Sequence, residues 1–573
     1  MKRRSFLEIL TIGSGVAVAT PLFGNPLAEG IEKHKNVSIK EKEFTANLVI
    51  AGGGLGGCAA ALAALRNNLT VILTEQTDWI GGQLTQQGVP PDEHPWIETH
   101  GATQLYRNFR KEVRNYYIRN YPLTAEALER PYLNPGDGVV SNLCHEPRVA
   151  LAVLQSMMAP YISAKRLTIL LEHQVTSALV KDDEVRSLDA INLRTGNKIS
   201  LKAPYFVDAT ELGDLLPLTG TEYITGTESK EETKELHAPD KGNPQNIQAF
   251  TVTFAMDYVP GANHTIKKPI GYEFWHNFIP QMIPKWSGKL LALSYPKPST
   301  LVPKKLAFDP LGPNIGSPLN LWVYRRIINK NNFLSGTYAG DISVVNWPQN
   351  DYFLGNLIGA TPKEFDAQVN KAKQLSLSLL YWLQTEVPRP DGGYGWSGLR
   401  LRNDIMGTDD GLAKYPYIRE SRRIKAVFTI LEEHVGVKNR SIITGKQSGN
   451  KAADFYDSVG IGYYHVDLHP TTEGNNYVDF ESMPFQIPLG ALLPRRMKNL
   501  LPANKNIGTT HITNGCYRLH PVEWNIGESV GLLVAYALNK KVIPRIVREN
   551  KEMLLEFQDL IRSQGIETHW PEK

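Results

Sequence analysis

Short apolar runs rich in branched side chains punctuate this chain, and the first of them, Thr45-Ala46-Asn47-Leu48-Val49-Ile50-Ala51, meets Gly52-Gly53-Gly54-Leu55-Gly56-Gly57 directly. After the glycines, Cys58-Ala59-Ala60-Ala61-Leu62-Ala63-Ala64-Leu65 has a helix former's composition, and Thr70-Val71-Ile72-Leu73-Thr74 is branched again. The pattern predicts strand, turn, helix, strand. Further strands are predicted at Thr168–Val175, at Tyr205–Asp208 and from Leu500, and an apolar helix is predicted over Gln374–Thr385, ending before Pro388. Between Asp457 and His469 apolar and polar positions alternate, so His465, Asp467 and His469 share one face of a strand that could line a cavity.

The glycine spacing gives the first unit a chemistry. Gly52 makes the tight turn, Gly54 lets backbone approach a pyrophosphate, and Gly57 allows close packing of the helix. That helix would point its free N–H groups at the phosphates. Glu75 ends the second strand 18 residues after Gly57, where an acid grips an adenosine ribose hydroxyl. An acid there disfavours a 2′-phosphate, which leaves FAD or NAD.

Composition narrows the class. At 573 residues the chain suggests about three or four folding units. Its 62 Lys and Arg nearly balance 58 Asp and Glu, a net charge of +4, which argues against a nucleic-acid partner. The three cysteines, Cys58, Cys144 and Cys516, form no C-x-x-C pair, so a disulfide scaffold, a Cys-rich zinc site and a thioredoxin-like centre are poorly supported. No metal is expected; His465, Asp467 and His469 lack an identifiable distant ligand.

The N-terminus reads as an address. Lys2-Arg3-Arg4-Ser5-Phe6-Leu7 followed by a mildly apolar, Gly- and Ala-rich stretch resembles a twin-arginine (Tat) export signal. Gly13, Gly15, Pro21 and Gly24 interrupt it too often for a membrane span. The expected partner is therefore the Tat export machinery, the expected location periplasmic or secreted, with no membrane anchor after cleavage near Ala19 or Ala28.

Four later segments decide between the cofactors. Asp78-Trp79-Ile80-Gly81-Gly82-Gln83 resembles the flavin-domain extension in which a Gly-Gly turn and a polar residue meet the diphosphate and flavin. Val175 stands where flavoproteins of this type meet the adenine through backbone, and Phe206-Val207-Asp208-Ala209-Thr210 resembles their late strand, with Asp208 and Ala209 against the cofactor. Leu500 to Gly508 and the stretch through Gly527 and Gly531 look like the returning strand and final helix that close the flavin site, implicating Gly508 and Gly527. With Arg419-Glu420-Ser421-Arg422-Arg423, these segments resemble the FAD-dependent oxidoreductases of glutathione-reductase type, in a branch distantly related to fumarate reductase flavoproteins.

The resemblance implies an α/β fold: a discontinuous, Rossmann-like FAD-binding domain from 44–230 and 480–545, an inserted α+β substrate or cap region over 231–479, a helical tail over 546–573, and an export signal with tether over 1–43. It implies hydride transfer between FAD and a small organic substrate, with an electron acceptor not named by the sequence. Aromatic residues in the middle segment suit a sugar or polyol, though core packing explains most of them equally well. His511 is the expected general base and Arg518 the expected anchor for a carboxylate, polarised oxygen or reduced-flavin charge. Arg419, Arg422 and Arg423 around Glu420 suit a structural ion network. The alternatives are a flavin-dependent non-redox isomerase or lyase, and an exported binding protein that retains the fold.

Overall fold

In a computed structural model, residues 42–313, 316–445 and 451–571 are described; nearly all of the expected export signal and tether lies outside them. The first apolar run splits at Asn47, whose side-chain oxygen accepts from the backbone and hydroxyl of Thr70. Strand β1 is thus Leu48–Ala51, fully buried, and helix α1 (Leu55–Arg66) follows it, buried from Leu55 to Leu65. Three more strands, β2 (Val71–Glu75), β3 (Leu167–Leu171) and β4 (Tyr205–Asp208), join it, and β5 (Leu500–Pro502) comes from far along the chain. The five form one parallel sheet in the order β5-β4-β1-β2-β3, with Leu48 opposite both Val71 and Tyr205. Burial on both faces explains why these strands are unbroken apolar runs instead of alternating ones.

The expected strand Thr168–Val175 is two strands in two sheets. Glu172 adopts a left-handed backbone (φ 57°), which ends β3 and sends His173–Lys181 into an antiparallel sheet with Glu184–Asn192. Likewise Asp457–His469 divides into Ser458–Gly462, paired with Phe485–Pro488, and Val466–Leu468, paired with Val478–Phe480.

Between β4 and β5 the chain builds a second core around Phe254, Trp322, Trp347 and Leu380. It holds a four-stranded antiparallel sheet that includes Phe254–Tyr258 and Ile342–Val345. The helix expected over Gln374–Thr385 begins much earlier, at Pro362, because Thr361 and Glu364 form a capping box over a polar first half that carries no apolar periodicity. Trp275, Trp286, Trp322, Trp396 and Tyr352 are buried in this core, so packing accounts for most of the aromatic bias.

After β5, helices α2 (His511–Tyr517) and α3 (His520–Lys540) return to the sheet. Helix α3 lies against α1 at a distance that only glycine allows. A Cβ on Gly527 would stand 2.0 Å from the Gly56 carbonyl oxygen, and one on Gly531 would stand 2.4 Å from that of Ala60. All three cysteines are free and buried. Among the described residues no helix is long and apolar enough to cross a membrane.

Candidate active site

The glycine turn has the geometry its spacing implies. Gly52 takes φ +94°, and a Cβ there would stand 2.3 Å from the Ala209 carbonyl oxygen; one on Gly57 would meet the Gly52 carbonyl oxygen at 2.3 Å. Gly54 is different. Its Cβ would find only 3.1–3.2 Å approaches, to Glu211 Oε1, Ala209 O and Asn504 Nδ2. The outer glycines are therefore fixed by backbone crowding, and the middle one is tight without such a clash.

A cavity opens at this turn, lined by Gly52, Gly54, Glu75, Val175, Ala209 and Tyr415. Glu75 Oε2 accepts from the Gly53 N–H at 2.9 Å and Oε1 from the Thr77 N–H at 2.9 Å. Burial nevertheless pushes its carboxyl up to about 7. The second turn stacks on the first: the Gly81 N–H donates to the Gly53 carbonyl at 2.7 Å, with Gly81 at φ +113° and Gly82 at φ +56°. Gln83 Nε2 then donates to the Arg518 carbonyl at 3.0 Å and to Glu523, which ties this turn to the start of α3.

Asp208, Gly508 and Gly527, expected at the cofactor, make close contacts within the protein. Asp208 spends both carboxylate oxygens on the Thr210 hydroxyl and N–H and on the Leu215 N–H, so it shapes the loop after β4. A Cβ on Gly508 would face Ala426 and Phe428, and one on Gly527 would face α1; each permits a close approach of protein to protein.

Sequence reasoning left Glu211, Lys505 and Glu523 without roles. Lys505, fully buried, pairs with Glu211 Oε2 and stands 3.9 Å from Glu523, whose Oε1 accepts from the Gly56 N–H at 3.2 Å in the first turn of α1. Burial pushes Glu523 up to about 7 even though Lys505 pulls the other way. Lys505 and Glu211 lie inside segments singled out for their glycines and strands, and only folding brings them 294 positions together.

These surroundings fit a dinucleotide. Glu211 Oε1, Gln83 Oε1 and both polar atoms of the Gln87 side chain are buried without a hydrogen-bond partner, which is costly unless a polar group arrives. Gly52 and Gly54 line the cavity beside Glu75, and Lys505 supplies a cation near the first turn of α1.

A second cavity, of about 390 Å³, includes Tyr324, Arg325, Tyr417, Tyr464, His465 and Arg518 in its wall. Tyr415 lines the first cavity and Tyr417 the second, two residues apart in the chain. His465, Asp467 and His469 share this wall, as their alternation predicted, although the strand itself covers only Val466–Leu468.

The histidines differ in what they can do. His469 is held by two carboxylates, Nδ1 2.6 Å from Asp351 and Nε2 3.4 Å from Asp467, so neither ring nitrogen is free. His465 Nδ1 bonds Asp479 Oδ2 at 3.0 Å, which leaves Nε2 as the proton-accepting atom. Burial opposes its charge, but Asp479 and Asp467 outweigh burial and raise it above the usual histidine value. His511 lies outside this wall; its Nδ1 bonds Glu420 at 3.0 Å and its backbone N–H donates to Glu228 at 2.9 Å. Glu420 also pairs with Arg423 at 2.6 Å and Arg423 with Glu228 at 2.9 Å, a closed buried network. Arg518 does face the cavity, bonded to Tyr417 Oη and Asp467. His94, Trp96 and His100 pack instead with Tyr463 and Trp570. Among the described residues no group of His, Cys, Asp and Glu is arranged to hold a metal ion.

No curated protein matches this sequence. Among solved structures, an E. coli quinol fumarate reductase chain is 12% identical, covering 91% of this chain and 74% of that one, with a TM-score of 0.30. Anhydrotetracycline hydroxylase from Streptomyces rimosus is 10% identical over 91% of this chain and 66% of that one, at a TM-score of 0.34. L-proline dehydrogenase from P. horikoshii is 16% identical over 33% of this chain, which spans only 24% of that protein's length, at a TM-score of 0.17. The FAD dependent oxidoreductase family matches residues 47–560, and the chain belongs to that family, with FAD as its cofactor.

Proposed function

We propose that this protein transfers a hydride between bound FAD and a small organic substrate held in the second cavity. The observation that carries the reading is the adjacency of Tyr415 and Tyr417, which brings the cavity at the glycine turn and a polar, aromatic-walled one within two residues of chain. When bound, FAD supplies the two-electron acceptor for a substrate C–H bond. The protein's part is to seat the substrate, exclude water and take the proton. Arg518 is read as the substrate anchor and His465, held by Asp479, as the proton acceptor at Nε2. In this reading His511 positions the Glu420 network instead of acting as the base.

The aromatic wall, with Tyr295, Trp347 and Tyr477, keeps a sugar or polyol among the substrates. The arrangement of β1 to β5 suits a discontinuous Rossmann-like domain of glutathione-reductase type, with the segment between β4 and β5 facing the substrate. Arg3 and Arg4 support export by the twin-arginine route to the periplasm or beyond.

The test is the visible spectrum of the purified protein, followed anaerobically with sugars, polyols, amines and hydroxy acids. A flavin spectrum bleached by one class supports hydride transfer and names the chemistry, and oxygen uptake then separates oxidase from dehydrogenase. A flavin that every class leaves oxidised favours non-redox chemistry. A colourless protein that cannot be reconstituted with FAD overturns the reading.

A further inference from the structure

The wall of the second cavity carries more positive charge than a neutral substrate needs. Its cations are Lys297, Lys304, Arg325, Arg419 and Arg518; its carboxylates are Asp92, Asp467 and Asp479. Asp351 lies behind this wall, fully engaged by Arg419 at 2.9 Å and His469 at 2.6 Å. The excess remains before His465 and His469 are counted.

The cations are also underused. Arg325 is buried, yet its shortest contact to Asp92 is 3.2 Å, its other bonds to Asp92 and the Pro90 carbonyl are 3.5 Å, and its Nε has no acceptor. A guanidinium presents five N–H donors in a rigid fork that matches a carboxylate. Arg518 likewise has a buried Nε without an acceptor. Both arginines line the cavity and share Tyr417, Tyr464 and Asp92 as electrostatic neighbours, so they belong to one patch of wall. The hairpin Ser294–Pro296 and Pro303–Lys305 adds Lys297 and Lys304, neither of which has an ion-pair partner among the described residues. Positive groups at a cavity mouth concentrate anions there.

We propose that the second cavity is built for an organic acid, its carboxylate bound between Arg325 and Arg518, its hydroxyl-bearing part against Asp467, Asp479 and the tyrosine wall. A sugar acid or other hydroxy acid meets both requirements. A neutral polyol would leave the arginine donors unfilled and desolvated. The inference rests on the reading of this cavity as the substrate site.

The experiment titrates the FAD-loaded protein with matched pairs: gluconate against sorbitol, glucuronate against glucose, lactate against propane-1,2-diol. Binding is read from perturbation of the flavin absorbance and of tryptophan fluorescence. Each acid that fits is expected to bind at least about tenfold more tightly than its neutral partner, a difference of about 1.4 kcal/mol, and to lose that advantage as salt is added. Arg325→Met is expected to remove the preference at unchanged FAD content. Should that variant fold poorly, the double variant Lys297→Gln with Lys304→Gln, confined to the mouth, is expected to weaken acid binding severalfold and flatten its salt dependence. Equal binding of acids and neutral partners, no perturbation by any acid, or a salt dependence unchanged in the double variant would overturn the proposal. Acids that bind without bleaching the flavin would sink hydride transfer and leave the acid site standing; polyols that bleach it while acids fail to bind would do the reverse.

Discussion

His465 and Asp479 form a hydrogen-bonded pair, Nδ1 to Oδ2 at 3.0 Å, joined across two short strands whose register puts Val466 opposite Phe480. The carboxylate fixes the tautomer, so the ring accepts a proton only at Nε2. Replacing His465 by Gln is expected to slow substrate-driven flavin reduction by about a hundredfold while FAD content stays the same. Stopped-flow reduction checks this, with His511→Gln as the comparison: a loss confined to His511→Gln would return the base to His511.

The same pair sets a pH dependence. His465 works as a base only when neutral, and Asp479 holds its value above the ordinary 6.5. The reduction rate should therefore rise with pH through a midpoint above 6.5, and Asp479→Asn should move that midpoint down. A midpoint that stays in place in Asp479→Asn would exclude the pairing from the chemistry.

The two glycines of the turn should fail differently. A Cβ on Gly57 would stand 2.3 Å from the Gly52 carbonyl oxygen, so Gly57→Asp is expected to damage the fold. Gly54 has tight space, with approaches of 3.1–3.2 Å that a few tenths of an ångström of movement relieve, and Gly54→Asp chiefly adds a negative charge beside Glu211, so it should yield folded protein without flavin. Circular dichroism and the absorbance near the flavin maximum separate the two; yellow, fully loaded Gly54→Asp would be inconsistent with a diphosphate seat at this turn.

A methyl group on Gly531 would press on the Ala60 carbonyl oxygen, and overpacking of this kind costs about 1–3 kcal/mol. Gly531→Ala should lower the denaturant midpoint, with any flavin loss following from the displaced α3.

Glu235 offers a stability test away from the cavities. Its Oε1 accepts from the Thr510 hydroxyl and the Glu432 N–H, its Oε2 has no partner, and burial pushes its carboxyl up to about 8. An acid with a raised folded value binds its proton more readily in the native state, so its contribution to stability falls as pH rises from about 4.5 through about 8. Glu235→Gln removes that penalty. Its stability relative to wild type, from denaturation curves, should be greater near pH 9 than near pH 5.

By itself the sequence determined whatever follows from neighbours along the chain. The turn at Gly52, Gly54 and Gly57, the acid at Glu75 and the apolar strands are local patterns of spacing and composition, and Gly52, Gly54 and Glu75 line one cavity with Val175 and Ala209. The face shared by His465, Asp467 and His469 follows from the alternation of side chains in extended backbone. Tertiary structure decided the partners. Asp479 selects His465, Glu420 claims His511, and Lys505 meets Glu211 from 294 positions away as well as the nearer Glu523, because buried charges take whichever opposite charge folding brings near. The break at Glu172 and the early start of the helix at Pro362 were hidden for a related reason: a left-handed residue and a polar, capped first half of a helix leave little trace in hydrophobic periodicity.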